Sequence, residues 1–188
     1  MHRRDRAVAQ FDPYARKEEI AAIANIVDEL ELWWQDFNRR PLSPDDVLVK
    51  IDSYGITSIA DDRQLTATAL TEIATGKRYI FYNPRLPVGE QTLHLGHEFG
   101  HYLFGDMLKA RFADNPKLFM LEWGATVLGH ICLIPTPMIV GLHALIEELD
   151  PDNLLWHLSP LGVSVEREQE ICRERLEIYR DYLAMQHV

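Results

Sequence analysis

Three histidines fall within eight residues of the stretch TLHLGHEFGHYLFGD, residues 92–106, and a glutamate stands directly after the middle one. His97, Glu98 and His101 spell H-E-x-x-H. On a helix, residues four apart lie one turn apart on one face, so both imidazoles can reach a single ion. Zinc favours such nitrogen donors and in catalytic sites keeps one position open for water. Glu98, next to His97, is placed to take a proton from that water as a general base. The same donors also accept manganese or iron. The plain alternative is a structural helix that happens to carry these residues.

A zinc site of this kind needs a third protein ligand. The extended pattern H-E-x-x-H-x-x-G-x-x-H would put glycine at 104 and histidine at 107, where the sequence has Phe104 and Met107, with Gly105 one place late. The remaining common source is a glutamate on a second helix. The stretch FMLEWGATVLGHICLIP offers Glu122, the only acid between Asp114 and Glu147 and one with apolar neighbours. A carboxylate in such surroundings is costly to desolvate unless it is paired or bound to metal. An acid favoured by the positive end of a helix is the competing explanation. Three further residues are substrate-binding candidates: His94, three positions before His97; Trp123, beside Glu122; and Tyr82, in the strand-like run before the motif. His94 in that role would contact substrate or a transition-state oxyanion, against the commoner role of a partly buried helix histidine. His130 reads as core or subsite lining, and Tyr102 as packing.

These residues need elements to hold them. Residues 17–37 place Ile20, Ile23, Val27, Leu30 and Trp34 at helical spacing, an amphipathic helix packing on a core. Ser43 followed by Pro44 reads as an N-cap and first-turn proline of a short helix through Val47, Ile51 and Tyr54, ended by Gly55. From Ile56 to Asn83 the pattern turns β-rich, with a turn at ATGK, and predicts two or three antiparallel strands, the last over 78–83. The motif helix follows over 89–104. A second helix over 118–133 stops at the prolines of IPTP. Further helices are expected near 137–148, 152–158 and 164–185, the last capped by Ser164 with Glu168 in its first turn. Helices around one small antiparallel sheet of about three strands make a mainly helical α+β fold.

The 188 residues, 47% of them hydrophobic, suit one compact domain, or one domain plus a helical extension. Cys132 and Cys172 are far apart in apolar surroundings and read as core residues of a reduced, cytoplasmic protein. No stretch approaches a membrane span, and the basic start has no apolar run of a signal peptide behind it. The formal net charge of −10 disfavours a phosphate-gripping role. The turn-helix stretch LGVSVEREQEICRERLEIYR has a recognition-helix pattern, yet Glu166 to Asp181 holds six acids against four arginines. Direct nucleic-acid binding is therefore not expected.

Taken in order, these runs resemble the ImmA/IrrE-type metallopeptidases. The match starts at RYIFYNP, continues through TLHLGHEFGHYLFG and LEWGATVLGHICLIP, and ends in the C-terminal segment with Arg175 and Leu176. The sequence departs from the pattern at Gly124, where a second acid is frequent, and at Leu128 and Gly129, which replace a Phe-Ala pair; His94 lies outside it. The resemblance implies a gluzincin-like zinc endopeptidase domain over 41–150, a helical segment before it (1–40) and a helix-turn-helix-like segment after it (151–188). It further implies a protein substrate, a helix-turn-helix transcriptional repressor of a stress-response or mobile-element locus. The alternative is a regulatory or toxin–antitoxin-type protein that keeps the fold and works by binding a partner. On the first reading, the strand over 78–83 would align an extended peptide by β-augmentation.

Overall fold

The computed structural model describes residues 25–26, 40–111, 118–146, 148–158 and 160–186. The helix expected over 17–37 lies outside the described residues except for Asn25 and Ile26, which are helical, with Ile26 buried in the core. Helix α1 (Pro44–Ser53) starts as its sequence requires. The Ser43 hydroxyl accepts the Asp46 N–H at 3.2 Å, and the Asp46 carboxylate accepts the Ser43 N–H at 2.9 Å, a reciprocal capping box. Val47 and Ile51 face inward, and Gly55, at φ 69°, turns the chain out of the helix.

Strands β1 (Thr57–Ala60), β2 (Ala67–Thr71) and β3 (Arg78–Tyr82) form one sheet in the order β1-β3-β2. The hairpin β2–β3 is antiparallel, as expected, around a turn in which Gly76 takes φ 70°. Strand β1 instead runs parallel to β3, so the sheet is mixed. The cause is the loop after β1, which carries the chain to the far edge before the hairpin returns between the two. Asp61 N–H donates to the Tyr82 carbonyl at 2.8 Å, and the Asn83 amide donates to the Gln64 carbonyl at 2.8 Å, holding that loop. The expectation that residues 78–83 offer an exposed strand is thereby corrected. Strand β3 is central and paired on both sides, and the free edges belong to β1 and β2.

Helix α2 (Val88–Arg111) continues past the expected end at 104 because no proline interrupts it. Leu95, Phe99, Leu103, Phe104 and Leu108 bury one face against the sheet, α1 and helix α3 (Leu118–Leu133). Pro135 then separates α3 from α4 (Thr136–His143). Helix α5 (Pro151–His157), capped by Asp150, and α6 (Val165–Gln186), begun at Ser164, close a second core of Leu133, Ile139, Leu154, Ile171, Leu176 and neighbours. The architecture is α+β, six helices and three strands among the described residues. Cys132 and Cys172 are free and buried, and burial pushes both thiols up to about 12. Among the described residues no single helix is long and apolar enough to cross a membrane.

Two polar side chains of α6 fasten this second core to α3. Arg175, 1% exposed, donates from Nε to the Ile134 carbonyl at 2.9 Å and from its terminal nitrogen to the Thr136 hydroxyl, tying the α3–α4 break together. Glu174 pairs with the buried His130 at 3.0 Å, while the other ring nitrogen of His130 faces the Thr126 carbonyl at 2.9 Å. Arg175→Met strands that carbonyl and hydroxyl without their donor and should lower stability by about 3 kcal/mol, read by chemical denaturation. The hydrogen bond from His130 is the main influence holding the Glu174 carboxyl below its ordinary 4.5. A carboxyl lowered in the folded state stabilises above its unfolded value and loses that effect as pH falls through the folded one. Glu174→Gln should therefore cost about 1 kcal/mol near neutrality, discounted for partial exposure. Its melting temperature should converge with that of the parent chain as acid protonates Glu174.

Candidate metal centre

Helices α2 and α3 meet main chain to main chain. A Cβ on Gly100 would stand 2.6 Å from Ala125 Cα, and one on Gly96 would stand 3.0 Å from both Gly129 Cα and Cys132 Sγ. A Cβ on Gly129 would reach within 2.7 Å of the Leu93 carbonyl oxygen and 3.3 Å of His97 N. Such distances leave no room for a side chain at Gly96, Gly100 or Gly129. Gly124 is equally confined: a Cβ there would lie 2.5 Å from the Phe104 ring.

This contact brings Glu122, near the start of α3, against the two histidines of α2. His97 Nε2 and His101 Nε2 are 3.1 Å apart. One Glu122 oxygen lies 3.8 Å from His97 Nε2 and the other 3.7 Å from His101 Nε2. Tetrahedral ligands about 2.05 Å from zinc sit roughly 3.3 Å from one another. The two Glu122 contacts, made by different oxygens, are each a few tenths of an ångström longer than that separation, and two imidazoles with one carboxylate are donors zinc accepts. His97, Glu98 and His101 also converge, with ligand atoms within 4.8 Å of one another. Glu98 differs from Glu122 in what it already holds. Its Oε2 accepts the Ala69 N–H of β2 at 2.8 Å. Burial is the largest influence on its carboxyl and raises it above the ordinary range, with Glu122 adding to the rise; the Ala69 N–H and His101 oppose it. Glu122 is about half exposed and spans both histidines.

The remaining sequence candidates stand elsewhere around this cluster. His94 Nε2 lies 3.3 Å from Glu90, one turn earlier on α2, and Glu90 also accepts from Arg167 of α6 at 2.9 Å. Tyr82 lies in the central strand and packs, with Trp123, against the first core. His130 is core, bonded to Glu174. The Tyr102 hydroxyl donates to the Tyr79 carbonyl at 3.1 Å, and Arg78 pairs with Asp106 through two bonds of 2.6 and 2.8 Å, so α2 is locked onto β3. Sequence reasoning missed Ala69, whose contribution is a main-chain N–H and leaves no trace in residue type.

The profile of the IrrE N-terminal-like domain, peptidase M78, matches residues 51–152. The chain belongs to this family. The matched segment contains the sheet, α2, α3 and α4, and with them His97, Glu98, His101 and Glu122. Among solved structures, a Mycobacterium tuberculosis transcriptional regulator is similar with a TM-score of 0.53 and 15% identity, over 81% of this chain and 50% of that one. That likeness concerns the fold, and the chain spans half the regulator's length. No curated protein matches. An IrrE-type domain of a peptidase family supplies the metallopeptidase setting that the histidine–glutamate cluster fits.

If the helix contact sets the ligand geometry, crowding it should loosen metal binding. Gly129→Ala should weaken zinc affinity about tenfold by overpacking, whereas Gly141→Ala, at an open position of α4, should leave it unchanged. Chelator competition with the folded variants measures both.

Proposed function

We propose that the protein is a zinc-dependent endopeptidase that hydrolyses a peptide bond in a protein substrate. The observation that carries this reading is the convergence of His97, His101 and Glu122 beside a half-buried Glu98, in a chain of the IrrE-type peptidase family. His97, His101 and Glu122 would hold the ion. Bound there, zinc supplies Lewis acidity, polarising a carbonyl and lowering the pKa of water towards neutrality. Glu98 accepts a proton from the attacking water on a carboxylate oxygen and passes it to the leaving nitrogen. Its burial makes the carboxylate a stronger proton acceptor than an exposed glutamate.

The peptide would lie along β2, whose outer edge is free and whose Ala69 touches Glu98. A helix-turn-helix transcriptional repressor is the expected substrate, on the resemblance to ImmA/IrrE-type sequences. The fold likeness to a transcriptional regulator favours a second reading, a partner-binding regulator that retains the metallopeptidase fold.

Incubation with the repressor encoded beside this protein's gene tests the two. Glu98→Gln should lower the cleavage rate by at least about a hundredfold while zinc content stays the same, and stripping zinc with a chelator should abolish cleavage. Cleavage that survives Glu98→Gln ends the endopeptidase proposal. A stoichiometric complex without product, indifferent to that substitution, establishes the second reading.

A further inference from the structure

The edge of β2 reaches into the site by a route that the sequence does not announce. Antiparallel strands alternate between residues bonded to the partner and residues whose N–H and C=O point away. Asn83 N–H bonds to the Thr66 carbonyl and Glu72 N–H to the Lys77 carbonyl, which fixes the phase of the β2–β3 ladder. Thr68 and Leu70 therefore bond towards β3, and the main-chain groups of Ala67, Ala69 and Thr71 face the free edge. One of these outward donors, Ala69 N–H, is taken by Glu98 Oε2 at 2.8 Å. The bond bridges residues 29 positions apart and joins the sheet edge to the helix that carries both histidines.

We propose that the Ala69 main-chain N–H is the positioning group for Glu98, a role that rests on Glu98 being the base. A carboxylate on a flexible side chain has many rotamers; fixing Oε2 to a rigid strand selects one and leaves Oε1 for the proton. A charged acceptor makes this bond stronger than a neutral one. The consequence for substrate is a rule of register. The N–H of Ala69 is withheld from an added peptide strand, which bonds to the outward groups of Ala67 and Thr71 and to the Ala69 carbonyl.

Two measurements on the full chain test the proposal, and neither needs proteolysis. Residue-resolved amide exchange by NMR should show the Ala69 N–H at least about tenfold faster in Glu98→Ala than in the parent chain, with Thr71 N–H unchanged. Equal Ala69 exchange in the two proteins overturns the proposal. The second measurement uses Ala69→Pro, which removes the outward N–H and spares the ladder, since proline is tolerated on an edge. Acetohydroxamate binds metal and shares its proton with a neighbouring carboxylate, so it reports on Glu98 orientation. In the zinc-loaded protein, Ala69→Pro should weaken acetohydroxamate at least about tenfold with zinc stoichiometry retained, and Thr71→Pro less than about twofold. Undiminished affinity in Ala69→Pro overturns the positioning role. If both outcomes hold and no substrate is cut, the catalytic reading alone fails.

Discussion

The close approach of α2 and α3 is the constraint on which the rest of the site depends. Gly96 and Gly100 on one helix and Ala125 and Gly129 on the other let the two backbones touch. Where they touch, the side chains between them are few: Cys132 against Gly96 and the Phe104 ring against Gly124. Two helices in such contact have one mutual register, and that register decides whether Glu122 stands over His97 and His101 or beside them. The pairing also leaves each helix an outer face for a different neighbour. Helix α2 turns Leu95, Phe99 and Leu103 to the first core, and α3 turns His130 to α6. Rotation of α2 is held by the Tyr102–Tyr79 bond and the Arg78–Asp106 pair on the sheet side. The histidines are therefore set by the sheet as much as by their own helix.

The C-terminal helix completes the restraint with charge. Arg167 bonds to Glu90 of α2 and Glu170 of α6, Glu174 bonds to His130 of α3, and Arg175 bonds to the carbonyl of Ile134, just past the end of α3. Arg180 donates to the Leu149 carbonyl. Part of the acidic, arginine-bearing stripe, namely Arg167, Glu168, Glu174 and Arg175, is thus turned inward and clamps α6 across the helices that carry His97, His101 and Glu122, while Glu166, Glu170, Arg173, Glu177, Arg180 and Asp181 are exposed. Ion pairs so placed specify one packing of α6 on the α2–α3 pair, where a purely apolar seam would tolerate sliding.

Local signals in the sequence were legible because their physics is local. The Ser43 cap, the Gly55 and Gly76 turns, the proline stop after α3 and the i,i+4 histidines each depend on residues a few positions apart, and each stands where its spacing implied. Glu122 drew notice as an isolated acid among apolar neighbours, yet its side chain is half exposed, so helix packing and not the cost of burial brings it to the histidines. What stayed hidden was the neighbourhood of the strands. Alternation marks a segment as a strand and says nothing of which strand lies beside it, so the parallel pairing of β1 and the central place of β3 had no sequence signature. The Ala69–Glu98 bond was hidden for a related reason: every residue but proline carries an N–H, and only topology decides which one meets Glu98. His94 shows the converse, since its proximity in sequence to the motif does not keep it from pairing with Glu90.

Glu98 and Glu122 are chemically alike and stand beside the same two histidines, so their proposed division of labour must come from surroundings. Glu122 is half exposed and contacts the histidines from another helix, which suits a ligand that meets the ion from one side. Glu98 is more enclosed, has its carboxyl raised by burial, and is held at one oxygen by a strand edge. Two carboxylates in one site take different roles when their environments differ in this way. Exchanging the roles would require Glu98 to leave Ala69 and Glu122 to acquire a strand edge, and the glycine contact forbids the second by fixing α3. The helix that carries H-E-x-x-H thus holds only part of the proposed chemistry; the placement of Glu122, the proposed third ligand, depends on α3, and the orientation of Glu98, the proposed base, depends on β2.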